Sequence, residues 1–168
     1  SRACMLTGGN PYLKMSTKYD VFAADVFARK KPIHQVLKEN RYKTYSIGKI
    51  FHDPNDYRKW WDTLLRDDPY QQHISSLKYV PQNINNPNNI IRKKVPSVAY
   101  LQESDSAFTD YKNTLKAIEI LEASKSSKVP FFLALGYHRP HLPFIVPQKY
   151  ADLYPDSTLF LPQYKPLS

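Results

Sequence analysis

The 168-residue sequence has one cysteine and four glycines. It has no apolar run near the roughly 18 residues that would cross a bilayer. A lone thiol, Cys4, cannot close an internal disulfide and excludes a zinc site built on cysteines. Acidic residues are scarce too: 15 Asp and Glu against 24 Lys and Arg leave a formal net charge of +9. Such a balance suits an anionic partner, and sulfated sugar, nucleic acid and lipid headgroups satisfy it equally. Aromatic residues, by contrast, make up 14% of the chain, which argues against wholesale disorder. The chain opens at Ser1 without a charged-then-apolar leader and closes on Pro166-Leu167-Ser168 without a capping element. It therefore reads as an internal piece of a longer protein, within a single domain.

The elements follow from pattern. Ser1 to Gly9 reads as a short helix with Ser1 as N-cap, Met5 and Leu6 as its apolar face, and Gly8 or Gly9 as its stop. Pro32 opens a second helix on which Ile33, Val36 and Leu37 share a face, ending near Asn40. Thr44 to Gly48 reads as a strand, and Lys59 to Leu65 as one amphipathic helix. Tyr111, Leu115, Ile118 and Leu121 recur at helical steps and predict a helix over Thr109–Ser124. The apolar run from Val129 to Gly136 suits a strand buried on both faces. Residues 53–97 read as a loop-rich insert, with an Asn-rich loop at Asn83–Asn89.

Two units thus share one plan: helix, short polar link, apolar strand, glycine, then cationic or imidazole side chains. That order predicts an α/β fold with a largely parallel sheet flanked by helices. Ligands in such sheets bind beyond the carboxyl ends of the strands, where Lys49 and His52 follow one strand and His138, Arg139 and His141 follow the other. With Arg2 near a helix start, Lys49, His52 and His141 describe a pocket for a tetrahedral oxyanion, since guanidinium, ammonium and imidazole all donate to anionic oxygens. Each has a plainer reading as well: Lys49 as a solvated lysine, His52 and His141 as structural histidines, Cys4 as a structural thiol. Asp67-Asp68 before Pro69 reads as a turn, and Arg92-Lys93-Lys94 as a solvated run without the interleaved aromatics of a nucleic-acid platform.

Three stretches resemble the sulfatase family. Ser1-Arg2-x-x-x-Leu6-Thr7-Gly8 is similar to the tail of the signature Cys-x-Pro-Ser-Arg-x-x-x-Leu-Thr-Gly. Ser46-Ile47-Gly48-Lys49-Ile50-Phe51-His52 resembles the family's second active-site motif. Phe131 to Phe144, containing Gly136-Tyr137-His138-Arg139-Pro140-His141, resembles the branch acting on the 2-O-sulfate of iduronate. So do Pro147-x-x-Tyr150-x-x-Leu153-Tyr154-Pro155 and Ile33 to Asn40. Arg41 stands where a glycine commonly follows Glu-Asn.

The resemblance implies an alkaline-phosphatase-like fold and hydrolysis of sulfate esters on sulfated glycosaminoglycans, in a lysosomal or secreted enzyme. The nucleophile it implies, formylglycine made from a cysteine, would stand three residues before Ser1. Arg2 would hold that group, Lys49 and His141 would bind sulfate, His141 would assist the leaving oxygen, and His52 would orient the nucleophile. The implied calcium ion, Ca2+, takes ligands upstream and well downstream of these motifs, so no metal ligand is expected in this chain. It implies neither a nucleic-acid partner nor a membrane span, and this piece alone is expected to be inactive. Two alternatives are another polysaccharide sulfatase and an inactive, basic glycosaminoglycan-binding paralogue.

Overall fold

A computed structural model describes residues 2–10, 22–53, 55–66, 90–91, 95–96, 98–141, 144–155 and 157. Ser1, Asp67-Asp68-Pro69, the Asn-rich loop and Arg92-Lys93-Lys94 lie outside them. In chain order come helices α1 (Arg2–Thr7), α2 (Ala23–Val26) and α3 (Ile33–Glu39), strand β1 (Lys43–Gly48), a 3-10 turn (Arg58–Trp60) and strand β2 (Thr63–Leu65). Short strands β3 (Ile90–Ile91), β4 (Val95–Pro96) and β5 (Val98–Leu101) follow, then helix α4 (Thr109–Ser124), strands β6 (Phe131–Gly136) and β7 (Phe144–Pro147), and helix α5 (Gln148–Ala151).

The main sheet has the order β2-β1-β6 and is parallel throughout. Its register pairs Lys43 with Phe131 at one end and Gly48 with Gly136 at the other. A parallel β5–β7 pair forms a second sheet. Helices α3 and α4 pack on β1, and α4 also runs along β6. The expected α/β class with a largely parallel sheet is what the chain adopts.

The core lies where α1, α2 and α3 meet the sheet. Leu6, Ala23, Phe27, Ile50, Phe51 and Trp61 are buried together, with Phe132 and Ala134 of β6 packed against them. His34 of α3 is fully buried here, its ring stacked on Trp61 at 4.0 Å between centroids and edge-on to Tyr57. Among the described residues, neither imidazole nitrogen, nor the Trp61 indole nitrogen, has a hydrogen-bond partner. Burial holds the His34 pKa down at about 4, so the ring sits in the core as a neutral aromatic disc.

Several sequence expectations need correcting. The face Ile33, Val36 and Leu37 is not the buried one: Ile33 and Val36 are exposed and His34 points inward. Met5 is 76% exposed, and Leu6 carries the packing of α1. Helix α4 has the expected bounds, but Tyr111, Leu115, Ile118 and Leu121 lie outward, each 40–47% exposed. Its buried residues are Thr109, Asn113 and Ala117, small side chains at steps of four that let a helix approach a sheet closely. Strand β6 is not buried on both faces: Phe131 and Leu135, on one face of it, are exposed.

The helix expected over Lys59–Leu65 does not form. Thr44 and Asp62 draw this segment out along β1 instead. The Asp62 N–H donates to the Thr44 carbonyl at 2.9 Å, the Thr44 N–H donates to Asp62 Oδ2 at 2.8 Å, and Thr44 Oγ1 donates to the Trp60 carbonyl at 2.9 Å. Side-chain bonds of this kind offer the backbone an alternative to the helical ladder.

Candidate active site

Strands β2, β1 and β6 run side by side in one direction, so their carboxyl ends open on the same edge. Arg66, Lys49 and Tyr137 are the first residues past those three ends. The turn after β1 needs a backbone that few residues adopt. Gly48 has φ +71°, in the left-handed region, and the Lys49 N–H donates to the Gly136 carbonyl at 2.7 Å. A Cβ on Gly48 would collide with the Gly136 carbonyl, and one on Gly136 with the Lys49 carbonyl. Glycine at both positions lets the two strand ends approach.

Two guanidinium groups brace the loop that leaves β1. Arg2 Nη1 donates to the Lys49 carbonyl at 2.6 Å and Arg2 Nη2 to the Tyr137 carbonyl at 3.1 Å, so α1 is tied across the ends of β1 and β6. From the other side, Arg66 Nη1 donates to the Phe51 carbonyl at 3.0 Å and Arg66 Nη2 to the His52 carbonyl at 2.8 Å. Three of the four carbonyls from Lys49 to His52 are thereby held by charged donors. A guanidinium fork suits this task because its donors lie in one plane at fixed spacing.

The Lys49 pKa is lowered, first by burial and then by the charges of Arg2 and Arg66. Neither Lys49 nor Arg2 has an ion-pair partner among the described residues. Cations gathered this way repel one another, and an anion placed among them relieves that repulsion. His138 belongs to the same neighbourhood. Its pKa is held down at about 4 by burial first, then by the charges of Lys49, His141 and Arg139, with Asp110 opposing. The His138 and His141 rings lie 5.0 Å apart between centroids.

The loop carrying both histidines is fixed from α4. Asp110, in the first turn of that helix, accepts the N–H of His138 at 2.9 Å on one oxygen and that of Arg139 at 3.1 Å on the other. A carboxylate is also favoured there by the helix dipole. Arg139 Nε then donates to the Ile145 carbonyl at 3.0 Å, linking this loop to the second sheet.

Arg2 and Lys49 thus stand together, and His141 leaves the same sheet edge through the strand next to Lys49. His52 is exposed on the braced loop, its carbonyl bound by Arg66. Sequence reasoning missed Arg66 and Asp110 and gave His138 no role. Asp110 could have been noticed as the acidic residue in a helix's first turn, but nothing around Arg66 marks it. Cys4 is half-buried and packs on the core. No three His, Cys, Asp or Glu side chains converge as metal ligands among the described residues. The described residues therefore offer no ligand set for the calcium ion the family implies.

The fold is an α/β arrangement whose parallel strands end on an edge where Arg2, Lys49 and Arg66 gather. Residues 1–164 match the family described as Sulfatase, whose domain has the alkaline-phosphatase-like fold; the chain belongs to the sulfatase family. It is 34% identical to iduronate 2-sulfatase of Homo sapiens over 162 residues and 32% identical to iduronate 2-sulfatase of Mus musculus over 163, covering 92% of this chain in each case. The chain spans 28% of the length of both relatives. A sulfatase of Formosa agariphila is 44% identical over 63 residues, covering 38% of this chain and 12% of that protein.

Proposed function

We propose that this chain supplies the sulfate-binding edge of a sulfuric ester hydrolase acting on a sulfated glycosaminoglycan, with the 2-O-sulfate of iduronate as its target. The observation that carries the reading is the pair Arg2 and Lys49 at the shared carboxyl edge, without an ion-pair partner among the described residues and with the Arg2 guanidinium fixed on the Lys49 and Tyr137 carbonyls. Similarity to two iduronate 2-sulfatases supports the choice of sugar.

Lys49 binds the sulfate oxygens as a partly dehydrated ammonium, where Coulomb attraction is screened less than in bulk water. His141 donates a proton to the sugar oxygen as its bond to sulfur breaks. His138, its pKa held down at about 4, packs beside it. Arg2 spends two of its five N–H donors on carbonyls, which leaves donors for the nucleophile's oxygens. His52 orients the nucleophile from the braced loop. Formylglycine, the nucleophile of the family, lies outside this chain, as do the calcium ligands. The full-length enzyme works in the lysosome or outside the cell, where sulfated glycosaminoglycans are degraded. No helix among the described residues is long and apolar enough to cross a membrane.

The test is sulfate release by the full-length protein from a disaccharide bearing a 2-O-sulfated uronic acid, compared with its Lys49→Ala variant. Release that falls on order of 100-fold in kcat/KM fits the loss of one preorganised charge stabiliser. Tight binding of the sugar without any sulfate release would replace this reading with the inactive glycosaminoglycan-binding paralogue. Release of sulfate only from other sugar positions would make the protein another polysaccharide sulfatase.

A further inference from the structure

A second cationic surface lies away from the strand ends. The segment between α2 and α3 and the segment Asn55–Trp60 enclose a groove of about 950 Å³. Among the described residues Arg29, Lys30, Lys31, Arg58 and Lys59 line it, and no Asp or Glu does. Partial compensation is present for two of them: Lys31 pairs with Glu39 at 2.7 Å, and Lys30 Nζ donates to the Gly8 carbonyl at 3.3 Å. Arg29 and Arg58 have no hydrogen-bond or ion-pair partner for their side chains among the described residues. The Lys59 ammonium is held 5.0 Å from the centre of the Trp60 ring, which fixes a charge at the groove wall.

We infer that this groove is an exosite for a polyanionic sugar chain, gripping sulfate and carboxylate groups of the same glycosaminoglycan whose end occupies the site at Lys49. The inference rests on the proposed function for its choice of anion. Guanidinium groups bind sulfate and carboxylate with paired donors, so Arg29 and Arg58 are the principal contacts and Lys59 a supporting charge. A single-stranded nucleic acid is the poorer fit. Such ligands need open aromatic faces for their bases, whereas the Trp60 ring carries Lys59 and the Tyr57 ring packs against Phe51 and His34.

The covalent path connects the two sites. The loop that passes His52 becomes the groove wall at Asn55, and three residues span at most about 11 Å between Cα atoms. A chain of several sugars can therefore reach both. Binding at the groove then raises the effective concentration of its end at the strand edge.

The experiment uses full-length protein and the double variant Arg29→Glu/Arg58→Glu, with Lys112→Glu/Lys128→Glu as a control of equal charge change. Lys112 and Lys128 are exposed and lie outside the groove. The groove variant should raise KM for a sulfated decasaccharide about 10-fold while kcat/KM on a sulfated disaccharide stays within about twofold, following the loss of a second attachment point. The control should shift both substrates alike and by less than about threefold, through weaker steering alone. Direct titration with the decasaccharide, scored by heat of binding, keeps the exosite testable even if the protein releases no sulfate: the groove variant should then bind about 10-fold more weakly than the control. Equal effects of the two double variants would overturn the exosite. Competition by single-stranded oligonucleotide as potent as the decasaccharide would overturn its assignment to sugar.

Discussion

Gly48 and Gly136 are register partners across the parallel β1–β6 pair; a methyl group on Gly48 would meet the Gly136 carbonyl, and one on Gly136 would meet the Lys49 carbonyl. The close approach brings the carbonyls of Lys49 and Tyr137 within reach of a single arginine, Arg2. The charge arrangement of the site therefore depends on two residues that carry no charge.

Gly136→Ala should separate the strand ends and shift Lys49 without unfolding the sheet. Because its added Cβ meets the Lys49 carbonyl, a displacement near 1 Å is expected, with a loss of kcat/KM of roughly 10- to 100-fold. Wild-type kinetics for this variant, measured on a sulfated disaccharide, would show that the approach is irrelevant to the site.

Arg66 is a positioning residue, acting through the carbonyls of Phe51 and His52. Arg66→Ala should lower kcat on the order of 10-fold with little change in KM, since the loop that places His52 loses its brace. Added guanidinium should recover part of the activity of Arg66→Ala. A contribution to folding alone would appear as a lower melting temperature with normal kcat and no response to guanidinium.

Lys49 is placed at a cost to stability. Its pKa is lowered in the folded protein, so the fold disfavours the charged form below that pKa and the penalty is relieved only as pH rises through it. At neutral pH, Lys49→Met should abolish sulfate release and yet raise the melting temperature. A variant that lost both activity and stability would make Lys49 a structural residue rather than a functional one.

His34 sets part of the acid limit. Its pKa of about 4 in the fold lies below the 6.5 of an exposed histidine, so the unfolded chain binds the extra proton between those values. The stability tied to this group is fully present above pH 6.5 and declines as pH falls toward 4, by roughly 3 kcal/mol in all. His138 acts in the same direction. His34→Phe keeps a ring against Trp61 and removes the titration, so denaturation midpoints should improve more at pH 5 than at pH 7.5. Parallel pH profiles for the two proteins would contradict the burial argument.

Arg41 adopts φ +68° just past the C-cap of α3, in the left-handed region that a glycine occupies without strain. Arg41→Gly should stabilise the protein by about 0.5–1 kcal/mol, the relief of left-handed strain less the greater flexibility of unfolded glycine. Urea denaturation reads the change, and a loss of stability would mean that the Arg41 side chain matters more than its backbone.

The amino-acid sequence determined the local order of this protein. Helix α4, strand β1, strand β6 and the glycines that end both strands were legible because periodicity, proline and glycine act within a few residues of where they stand. The placement of Lys49 and of the His138–His141 loop at strand ends followed from the same signals. Tertiary structure decided what those elements face. The outward turn of the Tyr111-Leu115-Ile118-Leu121 line and the inward turn of His34 depend on which neighbour lies close enough to demand Ala117 or to stack with Trp61. The extension of residues 60–62 along β1 required Thr44, and the bracing of the Lys49–His52 loop required Arg66, which lies 14 residues from His52 in the sequence. Those partners meet only when the chain is folded, because a hydrogen bond between distant residues leaves no periodic mark on the sequence that makes it.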